Sequence, residues 1–375
     1  MFVHSFGFVK PDLSAPLFPF SGVTSAWLAP CAGHADVVHS MKGETMGISR
    51  SEKRASRLEL QVRRYESRQG VPRIGAEYQP AIRAVRGEAP SLSRCSQIFS
   101  VRLNRFIHVL SRTEAAAAMI ALHCPALVDL QEQRCLPPEP SSHPASPYAD
   151  FSSCDLPMLP GTVRVAGQLG LFRFHPRFVT EDEEGPYYVP VPLVGDFLLI
   201  LRDVGGAYAV NWNVKLTAEA FDERLGERPL RRRSAASVEK ARARQRIEEV
   251  CYGAAGIPTY RVVGATFDRT LVANLQQLMP WDSRRTSLQE NQREEMLDAF
   301  RGIVGSDRTP LDLLAGLCAR LRCDRQDCFV VLYQAIWRRD LVVDLFKPIL
   351  FNAPLRAEQT NPFELYSHLF ARGAQ

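Results

Sequence analysis

Two apolar runs constrain this chain most: VPLVGDFLLILRD, beginning at Val191, and AYAVNWNVKL, ending at Leu216. Between them, Asp203-Val204-Gly205-Gly206 supplies residues that tolerate tight-turn backbone angles, so the pair is predicted to form a β-hairpin. Upstream, Ser111-Arg112-Thr113-Glu114 has the capping-box pattern ahead of AAAAMIALH, which predicts a helix that stops before Pro125. VDLQEQRCL then reads as a strand. Downstream, a helix is predicted from about Ser237 to Tyr252, ending near Gly256, and TYRVVG reads as a short buried strand. Helix, strand, hairpin, helix, strand describes an α/β domain with a mixed sheet.

The rest of the chain divides around this core. Residues 1–45 are poor in charge and rich in Pro, Ser and Gly; they read as disordered or as a mis-assigned start, since Met41 and Met46 follow closely. Residues 46–100 form a basic N-terminal helix and arm. In SEKRASRLELQVRRYESRQG, Arg54, Arg57, Arg63, Arg64 and Arg68 alternate with acids, which fits a solvated helix and a DNA- or partner-contacting arm alike. The core is placed at 101–275, interrupted by a Pro/Ser-rich insertion loop over about 137–185 that is expected at the surface. Residues 285–355 contain three helical patterns. The second has Thr309 as N-cap and Pro310 at its first position, and LVVDLF follows the third as a strand or wing; together they suggest a winged-helix-like all-α domain. Residues 356–375 are left as a tail.

Bulk properties permit several functions and exclude few. A net charge of +5 allows a polyanionic partner without demanding one, and the local arginine clusters say more than the total. Nine cysteines without a CxxC pair suggest a reduced cytoplasmic protein. Cys318, Cys323 and Cys328 are evenly spaced but match no common zinc pattern, and read as buried thiols on helices. No segment approaches the ~20 apolar residues of a membrane span.

The hairpin carries the candidate chemistry. Phosphodiester hydrolysis uses a divalent metal to polarise phosphate and activate water, and magnesium takes hard oxygen ligands. Asp196 lies on the first strand, Asn213 and Lys215 lie on the second, and Glu114 sits on the preceding helix. Asn213 and Lys215 are two apart and share a sheet face, while Trp212 and Val214 face the other way. The Val214 carbonyl is a further candidate ligand. Each residue also has a plainer reading: Glu114 as the N3 member of its capping box, Asp196 as a turn-flanking acid, Lys215 as a solvated strand end, Asn213 as a strand-face amide.

In LELQVRRYESRQG, FIHVLSRTEAAAAMIALHCPALVDLQEQRCL, GDFLLILRDVGGAYAVNWNVKL and the unit ending GIPTYRVV, the chain resembles TnsA, the endonuclease subunit of heteromeric cut-and-paste transposases. The resemblance covers roughly residues 50–350, and the Ser-x-x-Glu helix followed by DLQEQ is its more specific piece. It implies a restriction-endonuclease-like core in which Glu114, Asp196 and Lys215 match the family's site, with Mg2+ (Mn2+ as substitute) as cofactor. Asn213 stands where related nucleases hold Glu or Gln, which removes one negative charge, and Gly195 replaces the usual proline before the aspartate. It further implies nicking of the 5′ ends of a transposon, beside an integrase-type transposase subunit and an AAA+ regulator, in a bacterial cytoplasm. Arg231, Arg232, Arg233, Arg242, Arg244 and Arg246 would then be phosphate contacts, or alternatively the solvated face of a basic helix. Two other functions remain open: an inactive DNA-binding scaffold of the same complex, and a stand-alone restriction-type nuclease.

Overall fold

The computed structural model describes residues 48–90, 94–151, 155–182, 184–222 and 235–373. The expectation for residues 1–45 and the cluster Arg231–Arg233 lie outside them. Arg50–Gln375 forms one compact unit.

The chain opens with α1 (Ile48–Gln69) and a hairpin of β1 (Ser96–Ser100) and β2 (Arg105–Val109). Then come α2 (Arg112–His123), β3 (Leu127–Glu132) and β4 (Cys135–Leu136). Next are α3 (Thr162–Gln168), β5 (Arg177–Asp182), β6 (Gly185–Pro190) and β7 (Leu193–Val194). The predicted hairpin is β8 (Phe197–Asp203) and β9 (Gly206–Lys215), paired antiparallel from Phe197↔Trp212 to Asp203↔Gly206. Its turn uses Gly206 at φ 97, and the Asp203 carboxylate accepts from the Gly205 N–H at 2.8 Å. After α4 (Glu219–Asp222), α5 (Ala235–Ala254) and β10 (Thr259–Val263) complete the core.

The main sheet has the order β10-β9-β8-β3, with β9 and β10 parallel and the other neighbours antiparallel. Strand alternation divides its side chains between two apolar clusters. Phe197, Leu199, Leu201, Val210, Trp212 and Val214 face α2, whose alanines let helix and sheet approach closely. Leu198, Ile200 and Ala209 face α5 through Ile247, Cys251 and Tyr252. The expected mixed-sheet α/β class is therefore present.

The Pro/Ser-rich insertion is no solvated loop. Leu136, Ala145, Tyr148, Phe151, Leu159, Val165 and Ala166 are buried and close the α5-side cluster. The prolines break helix and strand periodicity, so the pattern conceals that this segment is core. Tyr148 reaches the sheet, donating to the Asp129 carboxylate and accepting from Gln131 Nε2 at 2.8 Å. The arm is also partly structural. Arg68 is buried and forks onto Glu88 at 2.7 and 2.8 Å, and this pair, ahead of the opposing effect of burial, holds the Glu88 carboxyl down at about 2.

Downstream lie α6 (Arg269–Leu278), α7 (Glu290–Arg301), α8 (Pro310–Leu321), α9 (Arg325–Arg338), α10 (Pro362–Leu365) and α11 (Ser367–Phe370). Three of the expected helices, α7, α8 and α9, are present, and Thr309 caps α8 by accepting from the Asp312 N–H. The expected wing is absent: residues 341–346 form no strand. Leu341, Val343 and Leu345 alternate inward as a strand would, but the backbone here pairs elsewhere: the Leu341 N–H with the Ala335 carbonyl at 3.0 Å, the Asp344 N–H with the Arg356 carbonyl at 2.8 Å and the Phe346 N–H with the Asp344 carboxylate at 3.0 Å, while α6 holds the Leu345 carbonyl and the residues that follow. Asn274 Nδ2 donates to the Leu345 and Lys347 carbonyls at 2.7 and 2.8 Å, and Asn274 Oδ1 accepts from the Ile349 N–H at 3.1 Å. The expected separation near residues 275–285 is not marked by a break in the core. One cluster runs from Ile98 to Phe370, and buried His123 of α2 bonds the Trp337 carbonyl of α9 at 2.9 Å.

The presumed tail at 356–375 is a latch. Trp212 Nε1 donates to the Leu369 carbonyl at 2.7 Å, Tyr208 to that of Phe370 and Tyr260 to that of Ala371, both at 2.8 Å. Phe370 packs edge-on against Trp212 at 5.1 Å. Removing residues 361–375 should therefore uncover Trp212 and lower unfolding stability by ~3–5 kcal/mol, the cost of deleting a large buried aromatic. A denaturant midpoint equal to that of the full chain would show the latch to be ornamental.

Candidate active site

The acids meet where β3 ends, β8 begins and α2 starts. α2 begins there because Ser111, in extended conformation, caps it by accepting from the Glu114 N–H at 3.1 Å. Glu114 returns its carboxylate to the same turn, accepting from the Leu110 N–H at 2.8 Å and the Ser111 hydroxyl at 2.9 Å. It thus both completes the cap and faces the sheet end.

Asp196 immediately precedes β8. Its Oδ2 accepts from the Val214 N–H at 2.7 Å and from Lys215 Nζ at 3.3 Å. Lys215 Nζ also donates to the Val214 carbonyl at 3.0 Å, so both groups of Val214 border the site. The side chain of Asp196 is 26% exposed and that of Lys215 37%, so solvent can reach them. Of the expected set, Glu114, Asp196, Val214 and Lys215 therefore come together. Asn213 lies on the Lys215 face of β9 and is buried.

Two residues were missed from the sequence. Glu248 on α5 is buried and accepts from Asn211 Nδ2 at 2.9 Å. A Cβ at Gly195 would stand 2.9 Å from Glu248 Oε1, so the glycine gives this carboxylate its room. The available signal was an acid inside the otherwise apolar stripe Ala241, Ile247, Cys251, Tyr252 and Ala255. The second is Gln133, held at φ 43, a left-handed conformation uncommon outside glycine. Its Nε2 donates to Glu114 Oε2 at 3.2 Å, and its Oε1 is buried without a hydrogen-bond partner.

The rest of DLQEQ is structural. Glu132 takes two bonds from Arg105 at 3.0 and 2.9 Å and one from the His108 N–H at 3.0 Å, tying β2 to β3. Asp129 accepts from the Gly75 N–H at 2.9 Å.

Crowding of acids sets the electrostatics. Burial, reinforced by the charge of Asp196, pushes the Glu114 carboxyl up to about 7. Burial, with the same charge adding, pushes Glu248 up to about 7, against its bond from Asn211. For Lys215 burial pulls downward, but Asp196, Glu114 and Glu248 outweigh it and the ammonium is held above its ordinary value. Lys215 is therefore a permanent cation at neutral pH and unsuited to act as a base. The three acids form no closed triplet, because no such set among the described residues has its ligand atoms within 4.8 Å of one another. Magnesium binds through one or two carboxylates and keeps several waters, so it does not require three converging acids. The hard oxygens of Asp196, Glu114 and the Val214 carbonyl, with the orphaned Gln133 oxygen beside them, fit such an ion.

Of the expected phosphate contacts, Arg242 and Arg246 are exposed on α5, Arg246 lying 3.7 Å from Glu249, and Arg244 is half-buried. No described helix is long and apolar enough to cross a membrane. No protein-family model matches the chain, and no curated protein is significantly similar to it.

Because Glu114 and Glu248 have raised folded-state values, their stabilising contribution is complete below the unfolded value near 4.5 and is lost as pH rises through about 7. The metal-free protein should consequently melt at lower temperature at about pH 8 than at about pH 6, and Glu248→Gln should flatten that slope. Identical slopes for both proteins would refute the assignment.

Proposed function

We propose that the chain is a magnesium-dependent DNA endonuclease with a restriction-endonuclease-like core, acting as the TnsA-type nicking subunit of a transposase. The observation that carries this reading is the meeting of Asp196, Glu114, the Val214 carbonyl and Lys215 at one end of a sheet. That sheet is built in the order helix, strand, hairpin, helix, strand.

The bound metal would polarise the scissile phosphate and lower the pKa of a coordinated water. Asp196, Glu114 and the Val214 carbonyl would hold it. Asp196 is pre-oriented by the Val214 N–H and Lys215, and Glu114 by Leu110, Ser111 and Gln133, so little reorganisation accompanies binding. Lys215 remains protonated and offsets charge that develops on the phosphate oxygens. Once a bound cation favours its ionised form, Glu248 would supply from α5 the negative charge that Asn213 does not carry. Arg242 and Arg246 lie on the same helix, which suits a DNA backbone running along it; Arg231–Arg233, expected to join them, extend the same basic segment. The partners on this reading are transposon-end DNA, an integrase-type transposase subunit and an AAA+ regulator, in a bacterial cytoplasm with nucleoid association on DNA. The α7–α9 helices, without a wing, are the surface offered to those proteins.

The test is strand-specific nicking of transposon-end DNA with magnesium or manganese, with the transposase encoded beside it present. Wild type should nick the 5′ ends. Asp196→Ala should lose ~10²-fold or more of the rate, and Lys215→Ala should lose ~10²-fold while DNA binding survives. Glu248→Gln should lie between wild type and Asp196→Ala. DNA binding without nicking by wild type would favour the scaffold, and nicking that ignores both ends and partner would favour a stand-alone nuclease.

A further inference from the structure

Cys318, Cys323 and Cys328 are five residues apart in turn, a spacing that scatters side chains around a straight helix. The α8–α9 turn gathers them. Cys318 lies in the last turn of α8, Cys323 just beyond it, and Cys328 near the start of α9. Arg322 ends α8 at φ 52 and ψ 44, a left-handed cap, and its N–H bonds the Cys318 carbonyl. The Cys323 N–H bonds the same carbonyl at 3.2 Å. Asp324 then starts α9 by accepting from the Asp327 N–H at 2.9 Å. This brings all three Sγ atoms within 4.8 Å of one another, with Cys318 and Cys328 at 3.9 Å.

Among the described residues this is the one set of three His, Cys, Asp or Glu groups that converges so closely. Three thiolates at ~2.3 Å from a tetrahedral zinc ion are separated by ~3.8 Å, so the cluster is within a small contraction of that geometry. A disulfide would instead need ~2.05 Å between two sulfurs and would leave the third unused. We propose that Cys318, Cys323 and Cys328 bind a zinc ion through three thiolates, leaving a fourth position for water or an outside ligand. The two acids adjacent in sequence are already committed: Asp324 accepts from the Asp327 N–H, and Asp327 accepts from Thr286 Oγ1 at 2.6 Å, Ser287 Oγ at 3.0 Å and the Ser287 N–H at 3.1 Å. Cys318 and Cys323 are half-buried and Cys328 is buried, so the open position faces outward. The first turn of α9 adds its positive dipole end to a site of net charge −1. Zinc takes the cysteines as thiolates, so metal uptake expels protons. The ion would pin the α8–α9 turn and has no part in the carboxylate site.

The test uses the full-length protein, reduced, stripped with EDTA and titrated with zinc or cobalt. One equivalent of zinc should bind through thiolates, cobalt should give a thiolate-to-metal charge-transfer band, and zinc should protect three thiols from alkylation. Asp196→Ala, Cys95→Ser and Cys135→Ser should keep the cobalt band; Cys318→Ser, Cys323→Ser and Cys328→Ser should each lose or shift it. Should a cysteine variant fail to fold, the alkylation footprint of the wild type decides alone. The proposal is overturned by three thiols that react equally with and without zinc. A band that follows Asp196 rather than the cysteines, or a Cys318–Cys328 disulfide with no metal uptake in the reduced protein, overturns it equally.

Discussion

Asp196 shares one carboxylate oxygen between the Val214 N–H at 2.7 Å and the Lys215 ammonium at 3.3 Å, and so joins the start of β8 to the end of β9. The remaining geometry of the site follows from that contact. It aims the Lys215 ammonium back at the Val214 carbonyl and sets Asp196 near Glu114 and Glu248, whose carboxyls are raised by burial first and then by their acidic neighbour. Three acids thus crowd one cation, and each carboxyl is fixed by its own caps and bonds.

That arrangement is held from both faces of the sheet. α2 brings Glu114 while its alanines pack on Leu199, Trp212 and Val214. α5 brings Glu248 while Ile247, Cys251 and Tyr252 pack on Leu198 and Ile200. The C-terminal segment closes over Trp212, and α9 meets α2 at His123, where burial first, then nearby Arg339, depresses the imidazole to about 3 and keeps it neutral. The helices after β10 therefore belong to the same core as the candidate active site.

Local signals carried well. The Ser111 cap, the Asp203–Gly206 turn, Thr309 with Pro310, and the strand–helix–strand order were all readable, because each depends on neighbours within a few residues. What failed depended on distant partners. LVVDLF has strand periodicity, but its backbone groups go to Ala335, Arg356 and Asn274 of α6 rather than to a neighbouring strand. The Pro/Ser-rich segment looks like a solvated loop, but the α5 face of the sheet needs covering and Tyr148 anchors there on Asp129 and Gln131. DLQEQ was read as part of a family pattern; in the fold most of it braces β2 and the N-terminal segment, and only Gln133 reaches a candidate catalytic acid.

From its sequence alone the chain declared a mixed α/β core and nominated Glu114, Asp196, Asn213, Val214 and Lys215, because strand alternation and helix capping are local rules of backbone geometry. Only the tertiary structure added Glu248 to the acids, turned the tail into a latch, and drew Cys318, Cys323 and Cys328 together. Those outcomes rest on which face of one element lies against which face of another, and residue spacing along a chain does not encode that.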